Sequence, residues 1–220
     1  MTRLADTVGD MRGTATISRS YGAGGIRVAD GLARELAWRA VDREVVEEAA
    51  GRLGVAPEVA EALDERVPAL IEEAGLALAA AELPLAMSAT VEDRSLAAAV
   101  RTVIRSLADT GGYVILGRGG QAALRDRPDV VHLQLVGDLD DRARRVSEWR
   151  GISADSAREQ CHRVDEARAA YVRRFYDVDI TDARLYDAVL NTSKLGIEGA
   201  ISVAVATVRA RLAPDLEETT

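Results

Sequence analysis

The sequence predicts an α/β fold: a parallel sheet with helices on both faces. Three observations carry this. Short apolar segments alternate along the chain with stretches whose apolar residues recur at helical spacing. Two of those segments, Tyr113–Leu116 and Val130–Val136, are almost continuously apolar, as strands buried on both faces are. The first segment runs directly into a glycine-rich turn and then into a helix.

In chain order, Thr14–Ser18 is β-branched and apolar and reads as the first strand. Ser20–Gly25 breaks regular structure, and Val28, Ala29, Leu32, Ala33 and Leu36 mark one face of a helix over Ile26–Ala37. Trp38–Val41 is a second short strand, and a helix is expected from Arg43 to about Leu53. Pro57–Leu85 is rich in Ala and Glu, helical in pattern, and punctuated by Pro68, Gly75 and Pro84, which suggests a helical insertion over about 55–90. Asp93–Ala108 follows as a helix with Leu96, Val100, Val103, Ile104 and Leu107 on one face. After the strand at Tyr113 comes Gly117-Arg118-Gly119-Gly120. After the strand at Val130, Asp138 opens a helix to about Arg150, and Ser153 is placed to cap a long helix through Arg174. Ala188–Asn191 is the last strand and Ile197–Leu212 the last helix. A single domain over 14–212 is therefore expected, between tails at 1–13 and 213–220.

Composition excludes several classes. With 48% hydrophobic and 29% charged residues, the chain is too apolar for a disordered protein, and 220 residues suffice for a sizeable core. One cysteine, Cys161, and two histidines argue against a disulfide scaffold and against a Cys- or His-based metal centre. The net charge of −8 speaks against general nucleic-acid binding. No secretory leader or membrane-length apolar run is visible, and a cytoplasmic protein is expected. An Ala-rich insertion leaves a homodimer open.

The turn Arg19-Ser20-Tyr21-Gly22-Ala23-Gly24-Gly25-Ile26-Arg27 carries the chemistry. Between a strand and a helix, glycines let successive N–H groups converge on one anion, and the helix N-terminus adds its positive dipole end. The segment departs from the pattern G-x-x-x-x-G-K-[ST]: Arg19 stands at the first glycine, Gly25 at the lysine and Ile26 at the hydroxyl. Arg27 sits in the first helical turn, where a cation is unfavourable unless an anion is bound. A plain strand-to-helix turn with solvated arginines is the alternative.

Five segments together resemble the cytidylate kinase-like family of P-loop proteins. Ile17–Arg27 resembles that family's opening segment, and Asp42 falls where the monophosphate-binding region begins. Leu116-Gly-Arg-Gly119 resembles a Gly-Arg-Asp element, with Gly119 in place of Asp. Arg163-Val-Asp165-x-x-Arg168 resembles an arginine-rich lid helix, here about 151–176, and Leu190-Asn-Thr-Ser193 with Leu195, Ile197 and Glu198 resembles the closing segment.

The resemblance covers roughly 14–208. It implies a P-loop NTPase-like sheet with a helical insertion and a helical lid, and ATP-dependent phosphorylation of a nucleoside monophosphate, CMP or dCMP first, with Mg²⁺. On this reading Arg19 to Arg27 hold the donor nucleotide. Asp42, Arg118, Asp165 and Arg168 hold the acceptor. Arg163, Arg168 and Arg27 act in catalysis. No metal ligand is evident, Ser18, Ser20 and Asp42 being the nearest. Two alternatives stand beside it: a nucleotide-binding protein without turnover, and a kinase for another small acceptor. Arg163 and Arg168 project ~140° apart on an ideal helix, and Asp165 and Arg168 could simply pair with each other. Trp38, Trp149, Phe175 and Tyr176 are expected to pack, and Cys161 to be a small helix residue.

Overall fold

The computed structural model describes residues 13–42, 45 and 91–213. The expected helix over 43–53, the insertion over 55–90 and the two tails lie outside the described residues, save for Gly13, Val45 and Ala213. The elements in order are β1 (Thr14–Arg19), α1 (Gly25–Leu36), β2 (Arg39–Val41), α2 (Val91–Thr110), β3 (Tyr113–Leu116), α3 (Gly120–Ala123), β4 (Val130–Val136), α4 (Leu139–Arg150), α5 (Ala154–Tyr176), a 3₁₀ turn (Ala183–Leu185), β5 (Ala188–Asn191) and α6 (Thr192–Leu212). The expected strands and helices in these residues are all present. The one-turn α3 and the 3₁₀ turn carry too few residues to show a period, and they were not expected.

All strand pairs are parallel, in the order β2-β3-β1-β4-β5. The chain leaves central β1 for one side of the sheet, then crosses back to build β4 and β5 on the other. In such sheets a crevice opens at the carboxyl ends of the strands near this reversal, which is where the glycine turn lies.

β1 shows how the layers form. Its side chains alternate, and Ala15 and Ile17 join one core with Leu32 and Leu36 of α1, Leu133 of β4, and Ala204 and Val208 of α6. On the other side Val100, Val103 and Ile104 of α2 pack on Ile115 of β3 and Val130 of β4. β1's own residues toward that second face are Thr14, Thr16 and Ser18, all buried. Their hydroxyls need partners there. Thr16 Oγ1 shares a 2.7 Å hydrogen bond with His132 Nδ1, whereas Thr14 Oγ1 and the neighbouring Gln121 Nε2 are buried without a partner among the described residues. The backbone N–H of His132 donates to Asp187 Oδ2 at 2.7 Å.

Among the described residues, no helix is long and apolar enough to cross a membrane.

His132 is 7% exposed, and burial holds its pKa below the ordinary histidine range; the Arg211 charge acts in the same direction and Asp187 opposes both. In the unfolded chain this imidazole takes up a proton below about pH 6.5, whereas in the fold it stays neutral to lower pH. Its contribution to stability is therefore present above pH 6.5 and is lost as pH falls from there toward the folded-state pKa. Urea unfolding between pH 7.5 and 5 is expected to show a smaller loss of stability in His132→Asn than in the wild type. Parallel pH profiles would refute it.

Candidate functional site

The glycine turn is shaped by what it rests on. Gly22 (φ 77°) and Gly24 (φ 81°) are left-handed, a region costly for residues with a Cβ. A Cβ on Gly22 would lie 2.7 Å from the Arg142 carbonyl oxygen of α4, and one on Gly24 would collide with Ile197 of α6. The turn is thus pressed between α4 and α6. Gly24 is the N-cap of α1 and supplies no side chain, so the first N–H groups of the helix have neither an intrahelical acceptor nor a side-chain cap. That is the electrostatic condition for holding an anion.

Side chains from behind fix the turn's other backbone groups. Arg168 Nη1 donates to the Arg19 carbonyl at 2.9 Å, Arg142 Nη1 to the Tyr21 carbonyl at 3.0 Å, and Arg145 Nη1 to the Gly22 carbonyl at 3.2 Å. The Tyr21 N–H donates to Asp165 Oδ1 at 2.7 Å, while Asp165 Oδ2 accepts from Arg142 at 2.6 Å. Asp165 therefore pairs with Arg142 rather than with Arg168. The Arg168 guanidinium lies over the Tyr21 ring, 5.6 Å from its centroid.

In front of the turn, arginines from three elements meet. Arg19 leaves the end of β1 and runs beneath Gly25, where a Cβ would lie 2.9 Å from Arg19 Cγ. Its guanidinium continues against Gly117, leaving no room for a side chain there. Arg19 Nη2 lies 3.7 Å from Asp42 Oδ2, and Arg118 Nη2 lies 3.0 Å from Asp42 Oδ1. Burial pushes the Arg19 pKa down to about 9; Arg168 and Arg118 add to the effect and Asp42 opposes it. Burial also lowers the Arg168 pKa, against the pull of Asp165 and Asp42. Among the described residues, Asp42 thus lies within the charge of three guanidinium groups, those of Arg19, Arg118 and Arg168.

Arg118 is held in an unusual backbone. Gly117, Arg118 and Gly119 have φ of 77°, 57° and 70° in succession. For a residue with a Cβ this costs roughly 1–2 kcal/mol, and such strain concentrates at functional sites. Tyr176 supports the turn from below. A Cβ on Gly119 would lie 2.5 Å from its ring, and its hydroxyl donates to the Arg118 carbonyl at 3.2 Å. The ring fills the space beside position 119, where the family pattern has Asp.

The sequence-selected residues thus divide. Arg19, Asp42, Arg118 and Arg168 converge, and Tyr21 to Gly25 form the turn beside them. Ser20 bonds through its backbone, its N–H donating to the Leu135 carbonyl at 2.9 Å and its carbonyl accepting from Ala23 at 3.2 Å. Ile26 and Arg27 are exposed on the first turn of α1. Arg163 is half-buried on α5, and the charges acting on Arg19 come from Arg168, Asp42 and Arg118. Asp165 reaches the site through Tyr21. Trp149, expected to pack, is 69% exposed with Arg150 over its ring, because no described residue covers the last turn of α4 on that side. Sequence reasoning passed over Arg142 and Arg145. The available signal was Arg142 within the 139, 142, 143, 146 stripe of an amphipathic helix, an arginine in a core-facing position.

The cytidylate kinase-like family model matches residues 15–194. The chain belongs to that family. This family member is 29% identical over 107 residues to a cytidylate kinase from Methanothrix thermoacetophila, a match covering 48% of this chain and 60% of that protein. It is 30% identical over 112 residues to one from Methanopyrus kandleri, covering 47% and 58%. The chain spans less than two thirds of the length of these curated relatives. A crystal structure titled as an uncharacterized protein from Eubacterium ventriosum superposes with a TM-score of 0.67 at 20% identity, covering 90% of this chain and 99% of that one. A shikimate kinase from Bacteroides thetaiotaomicron gives 0.50 at 15%, covering 89% and 98%. At these identities the two structures speak to the fold, a P-loop kinase sheet.

Family membership implies Mg²⁺, but the described residues do not fit a resident ion. Ile26 offers no hydroxyl, Ser18 is buried, Asp42 and Asp165 already lie against arginines, and Ser20 is left as a single half-buried hydroxyl. No cluster of three potential ligands occurs among the described residues.

The geometry under Gly25 makes a direct prediction. Gly25→Lys in the presence of Arg19 is expected to destabilise the protein by about 1–3 kcal/mol, as overpacking does. Arg19→Gly/Gly25→Lys should recover part of that loss, giving a favourable coupling in a double-mutant cycle. Effects that add to within about 0.5 kcal/mol would show that the two side chains do not compete for one space.

Proposed function

We propose that this protein is an ATP-dependent phosphotransferase acting on a nucleoside monophosphate, with CMP or dCMP as the first acceptor to test. The observation that carries the reading is the convergence of Arg19, Arg118 and Arg168 beside a glycine turn that ends in the uncapped N-terminus of α1. Phosphoryl transfer is mostly positioning and charge neutralisation, and these are what such a locus supplies. The turn from Tyr21 to Arg27 cradles the donor polyphosphate. Arg118, at the end of a buried strand, grips the acceptor phosphate, and guanidinium suits this by donating two parallel bonds. An acceptor phosphate oxygen attacks the γ-phosphorus in line, the bond from γ-phosphorus to the bridging oxygen breaks, and ADP leaves. Arg19 and Arg168 neutralise the oxygens of the moving group, Arg19 from the space that a lysine at position 25 would otherwise enter. Magnesium arrives bound to ATP.

Coupled ADP release with a panel of monophosphates tests this. CMP or dCMP is expected to stimulate turnover most, and no stimulation by any acceptor would remove the kinase reading. Arg19→Met, Arg118→Met and Arg168→Met should each lower kcat by about 10²–10³-fold, the usual cost of removing one preorganised donor. Undiminished turnover in all three would place the chemistry elsewhere.

Glycine at the lysine position favours a second reading, a nucleotide-binding protein without turnover. Thermal shift separates the two. A binding module is stabilised by ATP alone, whereas a phosphotransferase responds to donor and acceptor analogue together.

A further inference from the structure

One face of α5 touches the site from Cys161 to its last residue, and its hydrogen bonds there are to main chain. Cys161 Sγ lies 3.8 Å from the Tyr21 carbonyl. Asp165 accepts the Tyr21 N–H, and Arg168 donates to the Arg19 carbonyl. Tyr176 donates to the Arg118 carbonyl and fills the space beside Gly119. Positions 161, 165, 168, 172 and 176 follow one another by four, three, four and four, a single stripe on an α-helix. Val172, the remaining member, is 3% exposed. From 161 to 176 the helix rises ~22 Å, so one rigid element reaches from the donor turn to the acceptor turn.

The stripe is anchored from behind as well. Arg142 of α4, itself buried, bonds to Asp165, to the Tyr21 carbonyl and, through Nε, to the Gly137 carbonyl at 2.9 Å. Arg101 of α2 lies over the Tyr176 ring, which Tyr171 of α5 itself meets edge-on at a centroid distance of 6.2 Å. A helix that swung open would break the bonds of Asp165, Arg168 and Tyr176 to Tyr21, Arg142, Arg19 and Arg118, and would leave backbone groups of both turns without these partners.

We propose that α5 is a fixed strut rather than a mobile lid, with Asp165 and Tyr176 as positioning residues. Asp165 orients the glycine turn through Tyr21. Tyr176 holds the left-handed backbone that aims Arg118. The helix between them sets the separation of donor and acceptor. The kinetic consequence rests on the phosphotransferase reading; the structural one does not.

Amide hydrogen exchange on the full chain without nucleotide tests the structural part. The Tyr21 amide is expected to exchange at least about 10²-fold slower than an open loop amide and to change little when ATP and CMP are added. Asp165→Ala should remove the protection, and Asp165→Asn should keep part of it, since a side-chain amide oxygen still accepts. A Tyr21 amide that exchanges freely until both nucleotides are present would make α5 a lid and overturn the proposal. In kinetics, Asp165→Asn is expected to raise the KM for ATP about tenfold with little change for the acceptor, and Tyr176→Phe to raise the acceptor KM instead. If both variants lose only thermal stability and keep both KM values, the positioning roles fall. If the wild-type protein turns over no acceptor, the phosphotransferase reading fails while the exchange result still decides the strut.

Discussion

The site depends on the volume of one side chain. Arg19 leaves the end of β1 and takes the space next to Gly25 and Gly117, so neither position has room for a side chain of its own. The missing lysine and the extra arginine are therefore one structural fact. A guanidinium reaches the crevice from the strand instead of an ammonium from the helix. It is planar, weakly hydrated and able to donate to two oxygens at once. Once it is there, Asp42 is drawn between it and Arg118.

The rigidity needed to keep three like charges together comes from behind the site. Like charges held close in a poorly solvated place repel strongly, and loosely tethered arginines would separate. Arg168 is tied to the Arg19 carbonyl, Arg118 is set on a turn supported by Tyr176, and the glycine turn is wedged against α4 and α6. Beneath them, the second face of β1 is joined to β4 by the hydrogen bond of Thr16 with His132, not through apolar area alone. Directional bonds fix the strand's position more narrowly than hydrophobic contact does.

Much of this was legible in the sequence. The alternation of apolar runs and helical periods revealed the parallel sheet, and the glycine turn marked its business end. The convergence of Arg19, Asp42, Arg118 and Arg168 was legible only as a set of separate motifs, because they sit on four segments far apart in the chain. Arg27 and Asp165 show the limit of reading by adjacency. Arg27 lies inside the turn by number but faces solvent, and Asp165 reaches the turn's backbone through a contact spanning 144 positions. Tyr176 could be read as a packing residue, but not which turn it supports, since that depends on how the end of α5 meets β3. Trp149 shows the converse: an indole belongs in a core by composition, and only the local end of α4 decides otherwise.

The borders of the sheet carry one more consequence. Among the described residues the outermost strands are β2, with three residues, and β5, with four. An unpaired strand of that length offers few outward-facing amides and carbonyls to a neighbouring molecule. Growth of the sheet from one molecule into the next across these two edges is therefore disfavoured.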